Sequence, residues 1–329
     1  CRKLLCRKGR TIMKKKLEIS KYFLLLAVII VAIIFGVMEP AFLKTSNLLT
    51  IVNSTCVLGI MGIGLTIVMA TGSINFASGS ELTLGAIFMA VILASDKVNN
   101  YFVALIITFA LVMCIGVLNG IITVKIGVPA FIATLGMQTL LLGFAKYLSN
   151  GGNVYSSNWP ECFTTLGQSY VFGKIPLSLI AFIIVGAAAW FLTEKTVTVK
   201  NLYAVGANPK ACVHVGISVS KYKILGFVLC SVFTCFAGIM QGSMLNGATP
   251  YYGSDLLLSA LSTLFLGATF WKQGVFNVLG TIVAAILLSE ITNGMTMIGA
   301  PTFLKNTIQG VILLVAVAVI ALINRKKAV

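Results

Sequence analysis

Gly79-Ser80-Glu81-Leu82-Thr83-Leu84 recurs as Gly253-Ser254-Asp255-Leu256-Leu257-Leu258, 174 residues further on. The same displacement of 174 carries Asn119-Gly120 to Asn293-Gly294. A displacement of 172 carries Ile126-Gly127-Val128-Pro129-Ala130-Phe131 to Ile298-Gly299-Ala300-Pro301-Thr302-Phe303. Three matches in one order and at nearly one spacing mark an internal repeat, and repeats fix architecture. The apolar runs around them say what is repeated.

Of the 329 residues, 58% are hydrophobic and 10% charged, with a mean hydropathy of +1.02. Soluble domains carry about 25% charged residues, so the fold class is an all-α, polytopic membrane protein. A spanning helix needs about 20 mostly apolar residues. Ten segments of that kind fall near 22–38, 48–70, 75–94, 101–124, 129–148, 175–193, 222–243, 254–270, 275–297 and 302–323. The repeated motifs open the third and eighth of these, then the fifth and tenth. Five spans separate the copies, an odd number, so the halves at about 48–148 and 222–323 point in opposite directions. Such inverted repeats characterise transporters, with the route at the repeat interface.

Lys and Arg mark the cytoplasmic flanks. With both termini inside, the count is 19 inside and five outside (Lys44, Lys97, Lys146, Lys174 and Lys305). A native start is expected at Met13, with 1–12 an upstream extension and 13–329 a single transmembrane domain; without 1–12 the count is still 14 against five. The run from 22 to 38 follows a basic cluster but ends without a small-residue cleavage site, so it reads as a retained membrane helix. The net charge of +16 sits in short clusters between apolar runs, which excludes nucleic acid as the partner.

No catalytic constellation is present. The chain has one histidine, His214, and eight cysteines without a zinc spacing, so no metal or cofactor is expected. It also lacks the phosphate-cradling G-x-x-x-x-G-K-[ST] loop. Any ATP-derived energy must therefore come from another chain. The place to receive it is the polar interruption Glu194–Lys223, with five lysines against Glu194 alone. A short helix is expected there at about Pro209–Val215, hinged at Gly206 and Gly216, with His214 on its surface.

Polar residues inside apolar segments are the candidates for the translocation path: Asn75, Ser80, Glu81, Asn119, Gln138, Asp255 and Asn293. Glu81 and Asp255 either cap helix starts, where the dipole favours a carboxylate, or contact the path. Glu290 faces a polar cavity or a helix interface. Thr71–Ser80 is either an unwound piece lining a cavity or a cytoplasmic turn. Asn119, Asn293, Gln138 and Gln309 either bind solute hydroxyls or join helices, and Gly59, Gly62, Gly64, Gly116 and Gly120 allow close helix approach. The exterior loop Ser149–Lys174, with Trp159, suits docking of a partner protein or an interfacial aromatic belt.

Leu202-Tyr203-Ala204-Val205-Gly206-Ala207-Asn208-Pro209-Lys210-Ala211, followed by Val215-Gly216-Ile217-Ser218-Val219, resembles the Y-A-x-G-x-N-x-x-A-A-x-x-x-G-I-x-V loop of ribose-type ABC importer permeases, within the branched-chain permease superfamily. The resemblance extends to A-x-P-Y-Y-G-S-D-L at 248–256, Leu266-Gly267-Ala268-Thr269, Val278-Leu279-Gly280-Thr281 and Asn293-Gly294-Met295. It implies a monosaccharide or related small polar solute, and a path formed by two permease subunits as a homodimer or a pair. An ATPase subunit would dock on a cytoplasmic coupling loop (Tyr203, Gly206, Asn208, Pro209, Lys210, Ala211, His214, Gly216), and an extracytoplasmic solute-binding protein would deliver from outside. The implied location is the bacterial cytoplasmic membrane. Two motifs depart from the family pattern. The usual G-G-I-D-L-S-V-G is here Gly72-Ser73-Ile74-Asn75-Phe76-Ala77-Ser78-Gly79, and L-G-G-T-S-x-x-G-G is Leu266 to Gly274 with Phe270. The alternatives are an ion-coupled secondary transporter using Glu81, Asp255 or Glu290, or a branched-chain amino-acid or nucleoside permease.

Overall fold

The computed structural model describes residues 23–94, 100–155, 159–171, 173, 175–271 and 274–328. The expected start at Met13, the segment 1–12, the basic cluster ahead of residue 22, and Lys97, Lys174 and Lys272 of the charge count lie outside these residues.

Helices dominate: α1 (Phe23–Met38), α2 (Thr45–Ala70), α3 (Ser78–Ala94), α4 (Tyr101–Ile121), α5 (Ala130–Leu148), α6 (Glu161–Gln168), α7 (Leu177–Lys195), α8 (Val197–Ala207), α9 (Pro209–His214), α10 (Val219–Leu245), α11 (Tyr252–Gly267), α12 (Val278–Met297) and α13 (Thr302–Ala328). A small antiparallel hairpin, β1 (Tyr170–Val171) and β2 (Ile175–Pro176), precedes α7. Each expected apolar segment holds a helix. Among the described residues, seven of them (α2, α4 with its π-helical end, α5, α7, α10, α12 and α13) are long and apolar enough to cross a membrane. α1 and α3 are shorter, and α11 spans only 16 residues.

The run α2–α5 and the run α10–α13 are built alike. The first helix of each run packs on the second and third helices of the other: α10 on α3 and α4, α2 on α11 and α12. That exchange buries α2 and α10 most deeply and leaves α5 and α13 at the margin. The repeat-equivalent glycines Gly79 and Gly253 meet where α3 and α11 cross; a Cβ at Gly253 would overlap the carbonyl oxygen of Gly79. Thr83 Oγ1 accepts from the Gly253 amide at 3.2 Å, tying the two first turns together. α3 and α11 are short because both start inside the protein, at this crossing.

The stretch leading into α3 is a largely buried, non-helical run beside α10, with Gly72 exposed. Gly72 takes φ +76°, Thr71 lies on Gly226, and Asn75 lies by Cys230. Thr71, Ser73 and Asn75 are all buried. Between helices the seams are small residues and short hydrogen bonds. Gly62 lies against Thr263 and Thr281, Gly116 against Ser231, Gly120 against Ile224, and Thr66 pairs with Thr281 at 2.7 Å. With lipid as apolar as leucine, such van der Waals contact and interhelical bonding hold the bundle.

At the opposite end from α8 and α9, the loop before α7 folds back on α10. Ser243 Oγ donates to the Phe163 carbonyl and accepts from the Gly167 amide, and Val154 forms a β-bridge with Ala248. Trp159 is only 8% exposed and meets Phe163 edge to face at 4.9 Å. It is a core residue, while among the described residues of this loop Tyr155 and Tyr170 are the exposed aromatic rings.

Candidate functional site

Four elements converge on one carboxyl group. Glu81, in the first turn of α3, is fully buried. Its Oε1 accepts from Asn75 Nδ2 at 3.1 Å and from Asn119 Nδ2 of α4 at 3.1 Å. Its Oε2 accepts from Asn75 Nδ2 at 3.2 Å and from Ser231 Oγ of α10 at 2.9 Å. Loss of the acceptor in a buried site would leave each of these donors unpaired. Asn75 also closes the turn leading into α3: its Oδ1 accepts from the Ala77 amide at 3.1 Å and its carbonyl accepts from Ser78 Oγ. Asn75, Glu81 and Asn119 thus come together as a clamp between the non-helical run, α3, α4 and α10.

Ser80 points elsewhere, donating to the Gln138 backbone carbonyl at 2.9 Å and so joining α3 to α5. Gln138 itself is half-buried. Asp255, equivalent to Glu81, is exposed. Asn293, equivalent to Asn119, is half-buried, and its buried Oδ1 has no hydrogen-bond partner, as is true of Glu290 Oε2 and Ser289 Oγ on the same helix. The path candidates therefore fall into two groups, one closed inside the first run and one open on the second. Nothing in the local sequence announced Ser231 as a member of the clamp, since it lies 150 residues from Glu81.

The polar interruption 194–223 folds as α8 and α9. Thr196 caps α8 and Asn208 caps α9, with Asn208 Oδ1 accepting from the Ala211 amide at 3.0 Å and Pro209 in the first turn. Such caps fix where short helices begin. Gly206 lies inside α8, against the Ala70 carbonyl, where a Cβ would not fit. Gly216 follows α9 with φ +79° and open space around it. Leu202, Val205 and Cys212 are buried. Pro209, Lys210, Ala211, Val213 (63% exposed), His214 and Val215 (73%) face outward.

The inward side of this unit touches the ends of the three central helices. Gly206 meets α2, Asn201 Nδ2 donates to Tyr222 Oη of α10 at 2.8 Å, and Tyr203 Oη donates to the Phe276 carbonyl ahead of α12 at 2.7 Å. Burial, and then the nearby Glu194, push the Tyr203 hydroxyl up to about 12, so it remains a donor. Asn277 holds the other wall: its amide donates to the carbonyls of Gly267, Phe270 and Val275, and its Oδ1 caps α12 through Gly280. Between them lies a recess of about 320 Å³ lined by Thr193, Glu194, Lys200, Tyr203, Val275, Phe276 and Asn277.

Among the described residues no cluster of three His, Cys, Asp or Glu side chains is placed to hold a metal ion. What the α8–α9 unit presents is an exposed outer face and an inner face in contact with buried helices.

The family described as "Branched-chain amino acid transport system / permease component" matches residues 47–317. The ribose import permease protein RbsC of Escherichia coli (strain K12) is 32% identical over 298 residues, covering 90% of this chain and 92% of that protein. Its counterpart in Bacillus subtilis (strain 168) is 28% identical over 303 residues, 92% of each chain. The galactose/methyl galactoside import permease protein MglC of Escherichia coli (strain K12) is 30% identical over 319 residues, covering 93% of this chain and 94% of that protein. No solved structure matches.

Proposed function

We propose that this chain, which belongs to the branched-chain amino acid transport system / permease component family, is the membrane-spanning permease subunit of an ABC importer that brings a monosaccharide or related small polar solute into the cell. It is a translocation subunit rather than an enzyme. Relatives named for ribose and for galactose or methyl galactoside import, alike over nearly their whole length, support the sugar class over amino acids and nucleosides. ATP is hydrolysed on a separate chain, an extracytoplasmic solute-binding protein delivers the solute, and a second permease subunit completes the path. The protein sits in the bacterial cytoplasmic membrane with both termini inside.

The observation that carries the coupling mechanism is the two-sidedness of α8–α9. Outward it presents Pro209, Lys210, Ala211, Val213 and His214; inward it packs on the end of α2 and is hydrogen-bonded to α10 and to Phe276 just ahead of α12. A docked ATPase that shifts α9 therefore moves the three helices on which the two runs are interlocked. Alternating access in transporters is such a rocking of one repeat against the other. The Glu81 clamp adds a second tie, holding α10 to α3 and α4 about 18 Å along α10 from its start.

The test is co-purification of the ATPase with the double variant K210E/V213E. Both side chains are exposed, so membrane insertion should persist while the ATPase is lost. Full retention of the ATPase would contradict the docking role.

A further inference from the structure

The geometry points to a solute-binding wall on the second half of α12, completed by α13, that takes the hydroxyl groups of a polyhydroxylated solute as it crosses; this rests on the importer function proposed above. At about 100° per residue, Thr292, Thr296, Ser289, Asn293 and Glu290 cover an arc of roughly 160° on one side of α12. The opposite side is spoken for: Gly294 lies against the ring of Phe35, and Ala284, Leu287 and Ile291 pack with α1. Thr281 and Ala285 face α2, and Ala285 lies one turn before Ser289 on the same side.

The polar arc carries buried oxygens that are not satisfied. Ser289 is 3% exposed, yet its Oγ has no partner, and neither do the buried Oε2 of Glu290 and Oδ1 of Asn293. α13 supplies donors alongside: Lys305 Nζ donates to Thr296 Oγ1 at 2.9 Å and Gln309 Nε2 to Thr292 Oγ1 at 3.4 Å. The ladder runs from Thr296, near the end of α12, about 10 Å inward to Ser289, roughly mid-helix. Unpaired acceptors and a carboxyl at that depth are costly against lipid, and they are tolerated where they line water. Acceptors alternating with amide, ammonium and hydroxyl donors match the mixed donor and acceptor character of sugar hydroxyls.

The corresponding positions of the first run are Ile115, Gly116, Leu118, Asn119 and Ile122. There Gly116 is covered by Ser231 and Asn119 is bonded to Glu81. Asn119 Oδ1 also lacks a partner, but the hydroxyl and carboxyl groups that extend the ladder on either side of the amide belong to the second run.

The test uses the full chain in membranes, with Cys1, Cys6, Cys114 and Cys162 changed to Ser. N293C, T292C and the first-run counterpart L118C are treated with a charged, membrane-impermeant methanethiosulfonate. The reagent attacks thiolates in water, so N293C and T292C should label at least about tenfold faster than L118C. Saturating D-ribose or D-galactose, tried separately, should slow the labelling of N293C. In the assembled transporter, E290Q and N293A should lower solute uptake per ATP hydrolysed by about three- to tenfold, the worth of one or two hydrogen bonds. Labelling no faster than at L118C would overturn the wall. An unchanged uptake stoichiometry in both E290Q and N293A would also overturn it. If wild-type uptake proved independent of ATP, the importer function would fall while the labelling still judged the wall.

Discussion

The two runs of four helices carry the same Gly-Ser-acid start and the same Asn-Gly pair, and put them to opposite uses. In the first, Glu81 is buried and held by Asn75, Asn119 and Ser231. In the second, Asp255 is exposed, and Asn293 and Glu290 keep buried oxygens without partners; in the first, Asn119 Oδ1 does so too, but its amide nitrogen is held by Glu81. A repeated motif fixes where a helix starts; the helix packed beside it decides whether its polar group becomes internal glue or is left open. α10 supplies Ser231 to the first run, and the position of α2 matching Ser231 by the 174-residue displacement is Val57, which supplies no hydroxyl. One run is thereby closed and the other left polar.

The largest expected effect tests the closed side. Glu81→Ala removes the acceptor for three buried donors and should destabilise the protein by about 3 kcal/mol or more, given about 1–3 kcal/mol for each orphaned group. Asp255→Ala should stay within about 0.5 kcal/mol, as exposed changes do. Thermal unfolding in detergent of both variants compares the two runs directly, and equal losses would erase the contrast.

Next is the crossing of the runs. Gly253→Ala drives a methyl into the Gly79 carbonyl and should cost about 1–3 kcal/mol as an overpacked contact. Gly127→Ala, with open space but φ +86°, probes strain alone and should cost about 1 kcal/mol. Smaller again is Tyr203→Phe, which strips the Phe276 carbonyl of its donor and should cost about 1 kcal/mol. Its sharper readout is coupling, since it loosens α8 from the entry to α12: ATP hydrolysis should become less dependent on solute-loaded binding protein.

Much of this fold was legible in the chain. Hydropathy placed every long helix, and the Asn208-Pro209 pair announced the start of α9 because a capping side chain and a proline act locally. The repeat marked Gly79 and Gly253, the two glycines that meet where α3 and α11 cross. What stayed hidden is tertiary. Glu81 and Asp255 share one local motif, so no local rule could separate the clamp from the exposed acid. Ser231 looks like any small polar residue in an apolar helix until α10 is laid against α3. Trp159, in a loop rich in turn residues, reads as a surface anchor and is instead buried on Phe163. Gly206, expected as a hinge, sits inside α8 because its missing side chain admits the Ala70 carbonyl.

The central claim is that this chain moves a small polar solute only when an ATPase drives it through α8 and α9. The direct measurement is uptake of radiolabelled ribose and galactose into liposomes holding the chain with its ATPase and binding protein, compared with liposomes holding the chain alone under an imposed proton or sodium gradient. The account predicts ATP-dependent uptake of one of these sugars in the first and none in the second. Gradient-driven uptake by the chain alone would contradict it.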